Sequence, residues 1–271
     1  MSKNSGFSEK DHMWLPALVT LAQEAGAAIL LHYQDTQAAI LDKADGSPLT
    51  AADMAAHDVI VAGLQRLAPD ITLISEENKF NPPVAADVSF WLVDPLDGTK
   101  EFINRNGEFT VNIALIQNGL PMLAVVYVPV LKVAYIGQRG LGAWRIRDGA
   151  MPDQIAVSSS QDGVLRVVAS RSHSDEKTLA LLKRLPRSQM ISAGSSLKFC
   201  MVAEGNADFY PRLGTTMEWD TAAAHCILEA AGGKVVQCDG TPLRYNKEEW
   251  RNPHFFAVGV WSPVFDDLVA A

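Results

Sequence analysis

Apolar positions near the start of this chain recur at a helical period. Between residues 14 and 33, Leu15, Leu18, Val19, Ala22, Ala25, Ile29 and Leu30 fall three or four apart, which predicts an amphipathic helix packed on a core. Residues 42–50 are polar and rich in turn formers, so a loop is expected there. Thr50 then caps a second helix over residues 51–67, which Pro69-Asp70 ends. Beyond it the period shortens. Residues 71–74 and 90–93 read as short buried strands, joined by a flexible connection over 78–87. Residues 110–117, 122–128 and 133–136 are β-branched and apolar, with Asn118-Gly119 and Pro129 at the turns between them. They predict an antiparallel meander with Trp144 at its end.

From Ile155 onward the texture changes. Strands are expected at 164–169, from Met190, and at 207–210, 234–237 and 255–260. Helices are expected at 179–185, 195–204, 218–231 and 263–269, with Gly232-Gly233 closing the third. Alternation of this kind predicts an α/β half. The expected division is a disordered tail over 1–11, an N-terminal α+β subdomain over 12–150, and a C-terminal α/β subdomain over 151–271. There is no internal repeat and no low-complexity segment.

Composition narrows the function classes. A chain of 271 residues can bury a substantial core. Its net charge of −8 argues against non-specific nucleic-acid binding over the whole surface. An anionic substrate stays compatible with that charge, because bound cations reverse the local field. Cys200, Cys226 and Cys238 are odd in number and form no Cys-x-x-Cys, which suits inert thiols in a reducing compartment. The first residues have no signal-peptide pattern, and the apolar run 15–31, interrupted by Gln23 and Glu24, is too short to span a bilayer. A cytoplasmic protein is expected, with peripheral attachment at the cytoplasmic face of the inner membrane left open.

The candidate chemistry begins at Asp94-Pro95-Leu96-Asp97-Gly98-Thr99. Proline cannot extend a strand ladder, so the strand is expected to stop there in a tight turn. Asp94, Asp97 and the Leu96 carbonyl can then converge on one point, an oxygen-only set of the kind Mg2+ prefers. The amides that open the next helical turn can hold a phosphate. Asp53, at the third position of its helix, suits a ligand and equally a carboxylate stabilising the helix dipole. Glu76-Glu77 at a strand end and Asp220 at a helix start read both as ligands and as ordinary surface or capping residues. Ser170 to His173 and Gly194 to Lys198 each join amides, hydroxyls and a cation in the manner of an anion site, or of a solvated loop.

Taken together, Glu76-Glu77, the Asp94-to-Thr99 block and Trp219-Asp220 followed by Ala230-Ala231-Gly232-Gly233 resemble the lithium-sensitive, Mg2+-dependent phosphatase superfamily that contains inositol monophosphatases. Thr99-Lys100-Glu101-Phe102-Ile103 is similar to the variant found in its 3'(2'),5'-bisphosphate nucleotidase branch. The resemblance implies an α/β/α/β/α layered sandwich in two subdomains, of the inositol monophosphatase and sugar phosphatase type. It implies hydrolysis of 3'-phosphoadenosine 5'-phosphate to AMP and phosphate in sulfate assimilation. No nucleic-acid partner and no integral membrane segment are expected, and a monomer and a homodimer are both left open. By the same resemblance Glu76, Asp94 and the Leu96 carbonyl hold one Mg2+, and Asp94, Asp97 and Asp220 a second, with a third near Asp53 and Glu76 left open. Asp53 and Thr99, with Glu76, would activate the attacking water. Gly98 and Thr99 amides would bind the scissile phosphate, and Ser170, His173, Gly194 and Lys198 the nucleotide. Inositol monophosphatase activity, and a regulatory protein- or RNA-binding role, are the other readings at this stage.

Overall fold

The computed structural model describes residues 9–34, 40–42, 48–158, 163–170, 176–185 and 187–269. The first helix, α1 (Glu9–Gln34), starts five residues before the predicted one and runs through Pro16. Residues 9–11 are therefore helical rather than tail. The 42–50 stretch is also more ordered than a loop at its two ends: β1 (Ile40–Asp42) pairs antiparallel with β2 (Pro48–Thr50). Backbone pairing of this kind requires no apolar pattern, so the sequence carried no signal for it. Helix α2 (Ala51–Leu67) follows as expected, then β3 (Thr72–Ser75) and β4 (Phe90–Asp97).

Strand β4 does not stop at Asp94-Pro95. Asp94 stands opposite Asn112 and Asp97 opposite Thr110, so three steps on β4 face two on its neighbour. The extra residue makes a β-bulge, and Pro95 is tolerated inside it because no ladder N–H is required there. Next come α3 (Thr99–Ile103), β5 (Thr110–Gln117), β6 (Leu120–Val128) and β7 (Val133–Gln138). The meander then continues past Trp144 through β8 (Gly142–Arg147) and β9 (Asp153–Ile155), two strands absent from the sequence prediction. Strands β3 to β9 form one seven-stranded sheet in chain order, with β3–β4 parallel and the other pairs antiparallel.

The C-terminal half contains β10 (Leu165–Ser170), α4 (Glu176–Leu182), β11 (Ser188–Ala193), α5 (Leu197–Ala203) and β12 (Phe209–Arg212). It ends with α6 (Ala222–Ala230), β13 (Lys234–Gln237), β14 (Phe255–Val258) and α7 (Pro263–Val269). Its five strands run in the order β11-β10-β12-β14-β13, with β10 parallel to both neighbours and β14 antiparallel to both of its own.

Alternate side chains of each strand point to opposite faces, and both faces of both sheets are covered. Trp91, Val93, Val111, Ile113 and Val125 pack under α1 and α2 against Leu18, Ala22, Ile29, Ile60 and Leu64. Phe90, Leu92, Ala114, Ile116 and Val126, on the other face, meet Phe199 of α5 and Ala223 and Ile227 of α6. The same central helices lie against Val168, Phe255 and Ala257 of the second sheet. Its outer face, with Val167, Phe209, Phe256 and Val258, is closed by Leu181 of α4 and Phe265 and Leu268 of α7. The layers are α/β/α/β/α, as the resemblance implied. Gly137 lets α6 approach the first sheet: a Cβ there would lie 2.7 Å from the Ile227 Cα.

Residues 14–33 of α1 are long and apolar enough to cross a membrane, more than the 15–31 run suggested. Leu18, Ala22, Ala25 and Ile29 are fully buried against the sheet, which is the position of a core helix.

Candidate active site

The fold brings together acids from three places: the end of a strand, a strand bulge and the turn before a helix. Glu76 follows β3, and its amide donates to the Val93 carbonyl of the parallel neighbour at 3.1 Å. Asp94 sits in the β4 bulge, where its Oδ1 accepts the Leu96 amide at 3.1 Å. Asp220 stands just before α6 and accepts the Met217 amide at 2.9 Å. One carboxylate oxygen from each of Glu76, Asp94 and Asp220 lies within 4.8 Å of the other two.

Burial, followed by the charges of Glu76, Asp97, Asp220 and Asp53, pushes the Asp94 carboxyl well above the usual carboxylate range. Burial, then Asp97 and Glu76, does the same to Asp220. Like charges this close are mutually unfavourable unless protons or cations intervene. An all-oxygen cluster strained in this direction fits a hard divalent cation, whose charge reverses the repulsion.

Asp97 joins the cluster electrostatically, and its orientation is fixed from behind. Its Oδ2 lies 2.8 Å from the Ser196 hydroxyl, 3.3 Å from Asn112 Nδ2 and 3.4 Å from the Thr110 hydroxyl. Asp53 is buried in the first turn of α2, and its charge reaches Asp94. The Leu96 side chain is buried in the core under α1 and α2, which pins the bulge. Gly98 takes a left-handed conformation, φ 95° and ψ 48°, directly before α3. A side chain there would crowd the Glu101 carboxylate at 3.1 Å. Thr99 is the first residue of α3.

Asp220 was expected inside a helix starting at 218. Helix α6 begins only at Ala222 because the preceding residues are held elsewhere. Glu218 is fully buried, accepting the Asn246 and Lys247 amides at 2.7 and 2.9 Å and the Lys247 ammonium at 2.7 Å. That anchoring sets the turn from which Asp220 projects.

Beside the acids is a pocket of about 130 Å³. Asp97, Glu101 and Asp220 line one part of it, and Lys100, Lys198 and Arg212 supply cations. Lys198 is buried, with its Nζ 2.6 Å from the Ser195 carbonyl and 5.5 Å from the centre of the Tyr210 ring. Burial, and next among the lowering causes Arg212, brings its pKa down to about 8, against the attraction of Asp97.

Gly194 lies beyond β11, and its amide donates to the Glu108 carboxylate at 2.8 Å rather than facing open space. A Cβ at Gly194 would meet Glu101 Cγ at 2.6 Å, so glycine keeps this approach open. Ser170 ends β10, paired in register with Ala193, which places it on the same sheet edge as Gly194. His173 lies outside the described residues.

Sequence reasoning missed Lys100, Tyr210, Arg212 and Thr216 as pocket residues. For Arg212 there was a usable signal, a cation closing a strand in Tyr210-Pro211-Arg212. The others carry no local pattern and are placed by the packing of the two halves.

Comparison with known proteins agrees with this geometry. Residues 10–257 match the family model described as the inositol monophosphatase family. A 3'(2'),5'-bisphosphate nucleotidase CysQ of Escherichia coli O6:H1 is 50% identical over 244 residues, covering 89% of this chain and 98% of that protein. The CysQ nucleotidase of Haemophilus influenzae is 34% identical over 256 residues, covering 90% and 92%. Among solved structures, CysQ from Bacteroides thetaiotaomicron superposes with a TM-score of 0.78 at 42% identity, covering 91% of this chain and 97% of that one. An inositol monophosphatase from Anabaena superposes with a TM-score of 0.73 at 28% identity, covering 97% and 96%. With its layered sandwich, its three converging carboxylates and a match over nearly its whole length, this chain belongs to the inositol monophosphatase family.

Proposed function

We propose that this chain is a Mg2+-dependent 3'(2'),5'-bisphosphate nucleotidase that hydrolyses 3'-phosphoadenosine 5'-phosphate to AMP and phosphate, a step of sulfate assimilation. The observation that carries the reading is the convergence of Glu76, Asp94 and Asp220 beside a pocket supplied with cations by Lys100, Lys198 and Arg212. The family is metal-dependent, and relatives near half identity are named as this nucleotidase.

Glu76, Asp94 and the Leu96 carbonyl would hold one Mg2+, and Asp94, Asp97 and Asp220 a second. Bound there, the cations neutralise charge on the phosphoryl oxygens and make water a stronger acid. The protein's own groups do the rest. The Gly98 and Thr99 amides, at the left-handed entry to α3, hold the scissile phosphate. Asp53, working with Thr99, accepts the proton from the attacking water. The water oxygen bonds to phosphorus as the bond to the ribose 3'-oxygen breaks, and that oxygen takes up a proton from solvent water as it leaves. Lys198 and Arg212 neutralise the second phosphate.

The test is phosphate release from 3'-phosphoadenosine 5'-phosphate and from inositol 1-phosphate, with Mg2+ and after chelation. The expected result is Mg2+-dependent turnover that prefers the nucleotide and falls in millimolar Li+. Preference for the inositol ester would keep the acid cluster and refute the assignment of the cationic pocket. Equal turnover after complete chelation would refute the metal site.

A further inference from the structure

Ser196 stands at the N-cap of α5, where a serine normally turns its hydroxyl back to the helix amides. It makes no such bond. Its Oγ lies instead 2.8 Å from Asp97 Oδ2 and 2.9 Å from the Asp220 carbonyl, and it accepts Asn112 Nδ2 at 2.8 Å. Ser196 and Asn112 are 2% and 1% exposed. Asp97 belongs to the first sheet, while Ser196 and Asp220 come from the C-terminal half. One hydroxyl therefore joins the Asp97 carboxylate of the first sheet to the main chain of Asp220 in the C-terminal half.

We propose that Ser196, supported by Asn112, is a positioning residue that sets the affinity of this site for divalent cations. The proposal rests on the metal-dependent reading above and adds what holds its ligands in place.

The hydrogen-bond arithmetic supports it. A serine hydroxyl has one proton. Asn112 donates to its oxygen, so that proton is directed to Asp97 or to the Asp220 carbonyl, and the bond to an ionised carboxylate is the stronger. The Asn112 amide must turn its NH2 toward Asp97 and Ser196, since a carboxylate only accepts. Ser196, Asn112 and Thr110 thus crowd one oxygen of Asp97, leaving the other for the pocket that Asp97 lines. Without them the Asp97 carboxylate can rotate, and the link from Asp97 to the Asp220 turn is lost. Groups that orient metal ligands in this way typically change affinity by about 10–100-fold when removed.

The test is Mn2+ binding to the full chain, read from the electron paramagnetic resonance signal of the free ion, beside melting temperatures without metal. Mn2+ takes the same oxygen ligands as Mg2+. Ser196→Ala is expected to weaken binding about 10-fold or more, with little change in metal-free melting. Ser196→Thr keeps the hydroxyl and should bind within a few-fold of the parent. Equal affinity in Ser196→Ala overturns the proposal. So does a fall in metal-free melting temperature together with failure of Ser196→Thr to restore binding, which would make the hydroxyl merely structural. If the parent itself binds no Mn2+, it is the underlying metal-dependent reading that fails.

Discussion

Asp94→Asn separates the folding cost of the acid cluster from its use. Asn is nearly isosteric, and its Oδ1 can still accept the Leu96 amide that now bonds to Asp94. What changes is charge. At the 4.8 Å limit that encloses Glu76, Asp94 and Asp220, each ionised pair repels by about 3.5 kcal/mol for an effective dielectric near 20. Protonation limits the penalty. Keeping a carboxyl of ordinary pKa 3.8 neutral at pH 7 costs about 4 kcal/mol. Neutralising Asp94 should therefore stabilise the metal-free protein by roughly 1–4 kcal/mol, a rise of several degrees in Tm for a chain of this size.

The pH dependence has a definite sign. A carboxyl raised in the folded state makes that state bind more protons than the unfolded chain. Its stabilising contribution is complete below the ordinary pKa of 3.8 and is lost as pH rises through the raised value. Metal-free parent protein should accordingly lose stability as pH rises above the ordinary carboxylate range, and the variant should lose less. Saturating Mg2+ should raise the Tm of the parent and leave that of the variant nearly unchanged. Turnover in the variant should fall at least 100-fold, about 2.7 kcal/mol. Differential scanning calorimetry with and without Mg2+, beside steady-state kinetics, reads all of these. A variant that is less stable without metal, still stabilised by Mg2+ and still active would refute the reasoning.

Other consequences follow from the same geometry. Lys198 is a cation only below its lowered pKa of about 8. The KM for the nucleotide should therefore rise as pH passes that value, and Lys198→Met should raise KM about 10-fold or more at pH 7 and flatten the profile. An unchanged profile in that variant would remove Lys198 from substrate binding. Gly137→Ala would place a Cβ 2.7 Å from the Ile227 backbone and force α6 off the first sheet. A loss of about 1–3 kcal/mol in chemical denaturation is expected, with weaker Mg2+ binding because Asp220 leads into that helix. Parent-like stability would show that the helix can shift without cost.

The apolar patterns of α1, α2, the β4–β7 strands and α7 were legible in the sequence because each helix buries one face, and the strands both faces, in cores large enough to need it. The Asp94-to-Thr99 block, Glu76 and Asp220 were legible as candidates because carboxylates at strand ends and helix starts are chemically suggestive. Other features were not. The passage of β4 through Pro95 depends on a bulge opposite Asn112 and Thr110, which only the neighbouring strand defines. Strands β8 and β9 are short ribbon extensions held by pairing to β7 and to each other rather than by an apolar pattern of their own. Helix α6 starts late because Glu218 answers to Asn246 and Lys247, more than 25 residues away in sequence.

What the sequence determined by itself was the set of candidate acids and the alternation of elements, which rest on local residue type and period, and, through the resemblance of its motifs, the family and the layered fold that family implies. The tertiary structure decided which charges share a space. Whether Asp94, Glu76 and Asp220 meet within 4.8 Å, whether Lys198 and Arg212 share a pocket, and what Ser196 does with its single proton depend on how two sheets pack about α5 and α6. Electrostatic and hydrogen-bond energies fall steeply with distance, and distances between residues far apart in the chain are set only by packing.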